Sequence, residues 1–381
     1  MPYTAPTVNY ATTQNGTYTT LTGVQSVQIV RGRTYIQDNF QASTCVIELI
    51  PATSYATPLA IGQFIDVRVT NSATARAYFC GRITDIERTY DIPYTSATGA
   101  APGDRIIISA SGATGITAQY QFSASAGTLA ADVTTTQMSQ VFSPCGVILI
   151  PNIGSSINGS AISLPGQGAF DVINKLCRTG QHYVDEGDNE RNTSTIFGSN
   201  LFAISTSAGL INASFSDTGA IRYNQLTFQS SAETRFNQIN VYPDGLATQS
   251  TSGTAPFNSL DYYTNSATTS DAASLSGLLY NLFNTLTTPT PFTISTNTNV
   301  DDTWLAVAQL QTGTSGPAYL GGGATVTFRG TTVTAIIQKI AVVFTPDQAT
   351  MTLNLAPSLG QAFILNSNQF GILDTNRLGY P

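Results

Sequence analysis

The chain has 381 residues, of which 41% are hydrophobic and only 10% are charged, with a formal net charge of −7. Disordered chains combine low hydrophobicity with high net charge, and this composition excludes that class. The chain has only two lysines and thirteen arginines, so we expect no stripe of basic residues that would bind nucleic acid. No apolar run reaches the roughly 18 residues that span a bilayer, and no signal peptide is expected. At roughly 100–200 residues per domain, we expect two or three folded domains.

The first 22 residues are polar and Thr-rich without a usable period, which predicts an extended arm over residues 1–22. Short β-branched or aromatic runs then alternate with clusters of Gly, Pro, Ser and Asn. In the run at 64–69, apolar residues alternate with Asp66 and Arg68, as one-sided strands require. This texture predicts antiparallel strands of a sandwich or barrel, over residues 24–30, 45–50, 64–69, 78–90 and 105–110.

Helical periodicity appears in the middle of the chain. The segment 129–142 is a helix candidate that three successive threonines interrupt. Apolar residues at i, i+3, i+6 and i+7 predict a helix over 170–178, with Gly180 as its stop. The next segment is predicted to be a strand that leads into a turn at Gly187, and it consists of His182, Tyr183 and Val184.

The second half of the chain returns to strand texture and contains one strong helix. Residues 196–242 are β-like, as are the runs 325–328, 335–344 and 351–355. Four leucines at i, i+3, i+4 and i+7 predict a helix over 271–283, with Asp271 placed to cap it.

Two parts of the chain, one early and one late, have the same order of strand types, and we call this similarity the echo. In each part a strand that begins with Gly precedes a longer apolar strand with isoleucines three residues apart, and a short apolar strand follows. The echo suggests a duplicated unit. The early copy is 62–68, 81–86 and 105–108, and the late copy is 323–329, 337–340 and 351–355.

The chain has few residues of the types that usually carry out catalysis. His182 is its only histidine, so a Ser–His–Asp arrangement would have to use it, and no G-x-S-x-G motif accompanies it. We expect an ordinary packed or surface histidine. Gly166-Gln167-Gly168 lacks the third glycine of a dinucleotide-binding turn and predicts a loop that enters a helix.

Acidic residues cluster at one place. Asp185, Glu186, Asp188 and Glu190 surround Gly187, and oxygen-rich loops can hold calcium. Their spacing differs from the twelve-residue calcium loop, so we expect a solvated hairpin tip without an ion. The pair Asp301-Asp302 predicts a turn or a helix cap.

The four cysteines match no ligand motif such as C-x-x-C, and a chain of this length needs no disulfide framework. Cys45 and Cys80 lie inside strand-like apolar runs. We therefore expect both to be buried free thiols.

A series of seven segments resembles the hub and minor tail proteins of tailed bacteriophages. It runs from about residue 24 to 380. It departs at Ser259–Ser274, where the family's usual sequence is only loosely kept, and charged residues are sparse. In order, the segments are Arg31-Gly32-Arg33; Thr44–Leu49 (T-x-x-[IV]-x-L); Pro58–Val67 (P-x-x-x-G-x-x-x-x-V); Phe79–Ile86 (F-x-G-x-I-x-D-I); Gly180–Asp185; Asn237–Val241 (N-x-[IV]-x-V); and Leu373–Tyr380 (L-D-x-N-R-L-G-Y).

The resemblance implies a mainly β fold with a few helices (α+β). It would contain two tail-tube-like antiparallel β domains, of barrel or sandwich form, and a smaller α/β connecting region. The expected division is an arm at 1–22, a first tube-like domain at 23–125, the connecting region at 126–215, a second tube-like domain at 216–260 and 315–365, an inserted segment at 261–314 with helix 271–283, and a tail at 366–381.

The resemblance also implies a non-enzymatic virion protein, made in the bacterial host cytoplasm. It would form a trimeric hub at the tail tip or baseplate that caps the tail tube and anchors a spike or fibres. Two tube-like domains per subunit would then match a threefold ring to a sixfold tube. The partners would be the tail tube or distal tail protein on one face and spike or fibre proteins on the other. Viral DNA would pass without specific binding, and no cofactor, metal or membrane-spanning segment is expected.

Two other functions remain open from the sequence. One is a hexameric distal tail adaptor or another minor tail component, and the other is a tail-associated hydrolase. For the hub, we expect Arg31, Arg33, Arg82 and Arg377 to be structural, bonding carbonyls or carboxylates across domain contacts. Few of the arginines should face a DNA channel.

Overall fold

The fold is that of a computed structural model, which describes residues 3–13, 16–35, 37–50, 59–71, 74–90, 104–151, 157–189, 192–200, 211–219, 221–228, 236–253, 258–283, 292–310 and 320–357. The strands are β1 (Thr7–Ala11), β2 (Thr19–Thr20), β3 (Val24–Gly32), β4 (Gln41–Leu49), β5 (Phe64–Asn71), β6 (Thr74–Thr89), β7 (Arg105–Gly112), β8 (Thr128–Leu129), β9 (Asp132–Val133), β10 (Ile148–Pro151), β11 (Asn158–Gly159), β12 (Ile162–Ser163), β13 (His182–Asn189), β14 (Asn192–Asn200), β15 (Ile211–Ser216), β16 (Gln225–Phe228), β17 (Phe236–Pro243), β18 (Gln249–Ser252), β19 (Asn258–Thr264), β20 (Phe292–Asn297), β21 (Gly323–Phe328), β22 (Thr331–Phe344) and β23 (Ala349–Pro357). The helices are α1 (Ala113–Ala118), α2 (Thr134–Phe142), α3 (Ala169–Gly180), α4 (Thr269–Phe283) and α5 (Leu305–Ala308).

The predicted mainly β fold with a few helices is confirmed. All five early strand predictions fall on β3 to β7, and the three late ones fall on β21 to β23. Apolar alternation made these strands visible in the sequence. β5 is nevertheless not the one-sided strand that its alternation predicted, because Asp66 on its second face is 0% exposed.

Five strands of the first half form an antiparallel unit, the first repeat, in the order β3-β4-β7-β6-β5. Five strands of the second half form the second repeat in the equivalent order β16-β20-β23-β22-β21, again antiparallel throughout. The predicted echo covered only the last three strands of each unit. The structure extends it to five.

The two repeats also share an irregularity. The register between β6 and β7 shifts after Ile83, and the register between β22 and β23 shifts after Ile337. These bulges leave Thr84 and Gln338 at equivalent positions. A bulge inserts one residue into a strand and re-aims the side chains after it, so its presence at the same place strengthens the case for duplication.

A single hydrophobic core underlies both repeats. It includes Val27 and Ile108 of the first repeat, Val342 and Leu353 of the second, and the fully buried Trp304 between β20 and α5. Because both units contribute to one core, they pack as one body.

Helices α1 to α3 and the small sheet β10-β14-β13 lie between the repeats in the chain and share a second core. A third core joins β17 and β19 to α4, and β18 pairs with β17 in the same sheet. The sheet pairing therefore differs from the expected boundaries. It places β17 and β18 outside the second repeat, and it places β20, within the expected inserted segment at 261–314, inside that repeat.

The N-terminal segment expected as an extended arm includes a strand of the main sheet. β1 pairs with β5 from Thr7 to Ala11, and Val8 is buried in the core. The segment is thus extended, and its described residues are held by backbone hydrogen bonds.

The predicted helices are present with shifted ends. The candidate at 129–142 is helical only from Thr134, where the three threonines form the first turns. The strong candidate is α4, which begins two residues before Asp271. The hydroxyl of Thr268 accepts a hydrogen bond from the Asp271 backbone N–H, so Thr268 is the cap and Asp271 is its partner three residues on.

Candidate functional site: the junction of the two repeats

The two repeats meet edge to edge along strands β3 and β22. Residues Lys339 to Phe344 of β22 pair antiparallel with Gly32 to Val27 of β3. The side chains that point into the core here, among them Ile29 and Val342, are buried. We call this strand pair the junction.

The Arg31-Gly32-Arg33 motif lies at the end of the junction. Arg31 donates to the Asp185 carboxylate at 2.9 Å and to the carbonyl of Ala308 at 2.7 Å. Both partners of the ion pair are shielded from water, since their side chains are 2% and 0% exposed. Arg31 therefore ties the first repeat to the connecting region and to α5, as predicted for a structural arginine.

Gly32 has a left-handed backbone with φ of 100°. A Cβ at this position would lie 2.2 Å from the carbonyl oxygen of Gln338, the bulge residue of β22. That carbonyl accepts a hydrogen bond from the Arg33 backbone N–H at 2.9 Å. Only glycine allows the two strands to approach this closely.

Arg33 completes the contact. Its guanidinium carbon lies 4.5 Å from the ring centre of Phe40 and 4.6 Å from that of Tyr183, and its Nε donates to the Gln338 side chain. Gln338 in turn donates to the Tyr183 hydroxyl at 2.6 Å. The bulge thus turns Gln338 toward the connecting region and links three parts of the chain.

Two residues of the acidic run, Asp185 and Glu186, are not solvated as its composition suggested. Asp185 and Glu186 lie within β13 and are 1% and 3% exposed. The Glu186 carboxylate accepts from both the backbone N–H and the hydroxyl of Thr114, and burial raises the pKa of this carboxyl. The prediction was wrong because distant donors, absent from the local sequence, satisfy these acids.

His182 is buried at the start of β13, with 1% of its surface exposed. Its Nε2 is 2.7 Å from the Thr134 hydroxyl, and burial lowers its pKa to about 4. Gly180, expected to stop the preceding helix, lies within it, and a Cβ there would be 2.2 Å from this ring. The left-handed residue that ends the helix is Gln181.

The other predicted features have ordinary structural positions. Gly168 is the cap residue of α3, and the loop before it pairs with Phe122, as expected for a loop entering a helix. Asp301 accepts from the backbone and hydroxyl of Thr303, which forms the expected turn. Arg82 lies over the ring of Phe64 within the first repeat rather than across a domain contact.

The cysteine prediction is confirmed for Cys45 and Cys80, which are free and buried. Arg377, Glu190 and the segment Leu373–Tyr380 lie outside the described residues. Within the described part of the chain, no group of histidine, cysteine and acidic residues is arranged to hold a metal ion, and no helix is long and apolar enough to cross a membrane.

The junction creates a continuous span of eight antiparallel strands with two unlike faces. One face lines the core. Alternate residues such as Gln28, Thr44 and Thr352 form an exposed or half-buried face, which we call the polar face and which also includes Val46. Ionisable side chains that the register places on this face are Glu48, Arg82, Asp85, Glu87, Arg105 and Lys339. Of its two arginines, Arg105 pairs with Glu48 at 2.7 Å and Arg82 lies over the ring of Phe64.

Comparison with known proteins places this architecture among phage tail proteins of known structure. No family model and no curated protein matches the sequence. The fold is similar to the 43 kDa tail protein of prophage MuSo2 from Shewanella oneidensis, with a TM-score of 0.62 and 13% identity over 93% of this chain and 98% of that one.

Two further tail proteins have similar folds. A tail protein from Neisseria meningitidis MC58 has a TM-score of 0.61 and 10% identity, over 93% of this chain and 97% of that one. The prophage tail protein gp18 from Listeria monocytogenes EGD-e has a TM-score of 0.51 and 9% identity, over 91% and 94%. The chain thus has the fold of these tail proteins over most of its length.

Proposed function

We propose that the chain is a structural virion protein, the hub of a phage tail tip or baseplate, and a member of the tail hub and minor tail protein family. The observation that carries this proposal is the pair of topologically equivalent repeats joined edge to edge, in a fold shared with phage tail proteins. Such a hub caps the tail tube and anchors a spike or fibres.

The duplication favours three copies per particle. A tail tube with sixfold symmetry presents six equivalent contacts, and a trimer of chains with two repeats each presents six matching units. A hexameric distal tail adaptor would present twelve such units, so it leaves the duplication without a role.

The polar face supports a role as a channel wall. Passing DNA is retained where cations contact its phosphates. Among the described residues, the cations on this face are Arg82, Arg105 and Lys339; Arg105 is neutralised by Glu48, and Arg82 is half-buried against the ring of Phe64. We therefore place this face toward the DNA path, with the tail tube or distal tail protein and the spike or fibre proteins bound at the two ends of the ring.

The role is structural rather than hydrolytic in this proposal. The hydrolase alternative would rest on His182, whose ring is buried and bonded to Thr134. A substrate would have to reach a side chain that solvent does not reach.

Cryo-EM of the intact particle tests the proposal. We expect three copies of the chain at the tail tip, in contact with the tube on one face and with spike or fibre proteins on the other. Six copies around the tube would favour the adaptor, and copies found only in the head would overturn the tail assignment. A turnover assay on cell-wall and polysaccharide substrates, with His182→Ala as control, tests the hydrolase.

A further inference from the structure

A small polar cavity lies where β13 of the connecting region packs against the first repeat. Its volume is about 10 Å³, and the charged residues among those that line it are Arg31, Asp185 and Glu186. All three are buried, with exposed fractions of 3%, 1% and 3%. The cavity therefore brings together two acids and one cation.

Asp185 is the acid that uses the cation. Its Oδ1 accepts from Arg31 and from the backbone N–H of Glu186, both at 2.9 Å. Its Oδ2 accepts from the backbone N–H of Leu320 at 3.2 Å. Arg31 is thus already paired with a carboxylate, in a charge-assisted hydrogen bond.

Glu186 has a different set of contacts. Its Oε1 accepts from the backbone N–H of Thr114 at 3.0 Å and from the hydroxyl of Thr114 at 2.8 Å. Its Oε2 and the Oγ of Ser43 both lie against Gly112, where an added Cβ would overlap the two oxygens. The two oxygens are therefore neighbours, and neither has another hydrogen-bond partner in the described chain.

The other described cations on β6 and α3, which pack against β13, and on the segment after β3 are bound to other groups. Arg33, Arg82 and Arg178 lie over aromatic rings, Arg76 and Arg88 donate to Gln309 and Leu59, and Lys175 pairs with Asp244.

An ionised Glu186 would therefore be a buried negative charge beside Asp185 without a cation of its own. Burying an unpaired charge is costly, whereas a neutral carboxyl has an O–H that donates to a neighbouring oxygen. The surroundings of Oε2 are those of a protonated acid that faces the hydroxyl of Ser43.

We propose that Glu186 is a proton-binding site of the folded protein. At neutral pH its carboxyl is neutral and donates a hydrogen bond from Oε2 to the Oγ of Ser43, and in alkaline solution it releases the proton. This hydrogen bond joins β13 to β4, so the proton is part of the contact between the connecting region and the first repeat. The site lies within one chain and does not depend on the proposed function.

Proton binding makes this contact sensitive to pH. Burial raises the pKa of Glu186, and the neighbouring charge of Asp185 also raises it, so the unfolded chain releases this proton first as the pH rises. The stabilisation is complete below the unfolded pKa of 4.5 and is lost as the pH rises through the folded pKa. Between the two values, each pH unit raises the unfolding constant about tenfold relative to a variant that cannot ionise.

Carbon NMR of the glutamate side chains observes the proton directly. The chain has five glutamates, so the full-length protein labelled with ¹³C at glutamate carboxyls gives five side-chain signals. At pH 7 we expect one signal at the position of a neutral acid, and we expect it to move to the carboxylate position only in alkaline solution. This signal should be absent from Glu186→Gln.

Unfolding by denaturant measures the same proton through stability. Glutamine has the shape of the neutral acid and can donate to Ser43 in its place. The unfolding constant of the wild type, divided by that of Glu186→Gln, should rise about a hundredfold between pH 5 and pH 7. Both proteins contain His182, so its titration cancels in the ratio.

The matched control is Glu87→Gln, at an exposed position of β6. The ratio of the wild-type unfolding constant to that of Glu87→Gln should stay nearly constant over the same pH range.

Each outcome decides the inference. A neutral-acid signal at pH 7 that disappears in Glu186→Gln supports the site. Five carboxylate signals at pH 7 overturn it, and this result requires no variant. A neutral-acid signal that persists in Glu186→Gln, or a stability ratio that is constant between pH 5 and pH 7, also overturns it. None of these results bears on the place of the protein in the particle, which cryo-EM tests separately.

Discussion

At the scale of single residues, the ion pair between Arg31 and Asp185 holds the connecting region against the junction. Removing one member of a buried pair leaves the other charge uncompensated, which costs about 3–5 kcal/mol. We expect Asp185→Asn to lower the free energy of unfolding by about 3 kcal/mol, because Arg31 is 3% exposed and loses its carboxylate partner. Denaturant titration measures the change.

The pair between Lys175 and Asp244 is the matched control, since both side chains are substantially exposed. Lys175→Gln should change the free energy of unfolding by less than about 1 kcal/mol, as is usual for exposed pairs. Equal effects of the two substitutions would show that burial does not set the value of the Arg31 contact.

The only histidine gives the protein a predictable response to acid. Burial lowers the pKa of His182 from 6.5 to about 4, so the unfolded chain takes up the proton first as the pH falls. The stabilisation from the neutral ring is complete above pH 6.5 and is lost between pH 6.5 and 4, by about 3 kcal/mol.

A comparison with His182→Asn isolates this response. Denaturant unfolding of both proteins at pH 4, 5, 6 and 7 should show the wild type losing its advantage over the variant as the pH falls. A constant difference across this range would mean that the folded ring titrates like the unfolded one.

At the scale of elements, the approach of β3 to β22 depends on the glycine between the two arginines. Gly32 combines a left-handed backbone with a site for Cβ that backbone atoms of β22 already occupy. We expect Gly32→Ala to cost about 3 kcal/mol or more, because strain and overlap both contribute. Thermal unfolding measures the loss.

A substitution at Gly146 separates the cost of backbone strain from the cost of atomic overlap. Gly146 also has a left-handed backbone, with φ of 70°, but a Cβ added there would meet no atom within 4 Å beyond its own chain neighbours. Gly146→Ala should therefore cost only the conformational penalty of about 1–2 kcal/mol. If both variants lose equal stability, the close approach of the strands contributes nothing.

At the scale of the whole molecule, the polar face determines how DNA would move through the proposed ring. Val46, 37% exposed, lies near the middle of this face. In particles carrying Val46→Arg, we expect DNA release to slow several-fold at low salt and to recover as salt rises, because cations bind phosphates in a salt-dependent way. Fluorescence of a DNA dye measures release from purified particles.

Val46→Gln is the control, since it adds a polar side chain of moderate size without charge. Its release rate should match that of the wild type. A slowing that is the same for both variants, or that does not depend on salt, would place the polar face away from the DNA path.

The sequence by itself determined eight strands of the two repeats, the main helices and three strands of each duplicated unit, because these depend on local periodicity. The leucine spacing of α4 reports which face of the helix is buried, whatever it packs against. The alternation in β5 identified the strand, although Asp66 on its other face is buried as well. Isoleucines three apart, Ile83 and Ile86 and then Ile337 and Ile340, were part of the echo, and the structure shows that each pair spans a bulge.

Only the tertiary structure decided which elements meet. Arg31 and Asp185 are 154 residues apart in the chain, and nothing in the local pattern around either one identifies the other. For the same reason the acidic run looked solvated, and β20 looked like part of an insertion. Pairing partners and buried charges depend on contacts between distant segments, and periodicity within a segment carries no record of its partner.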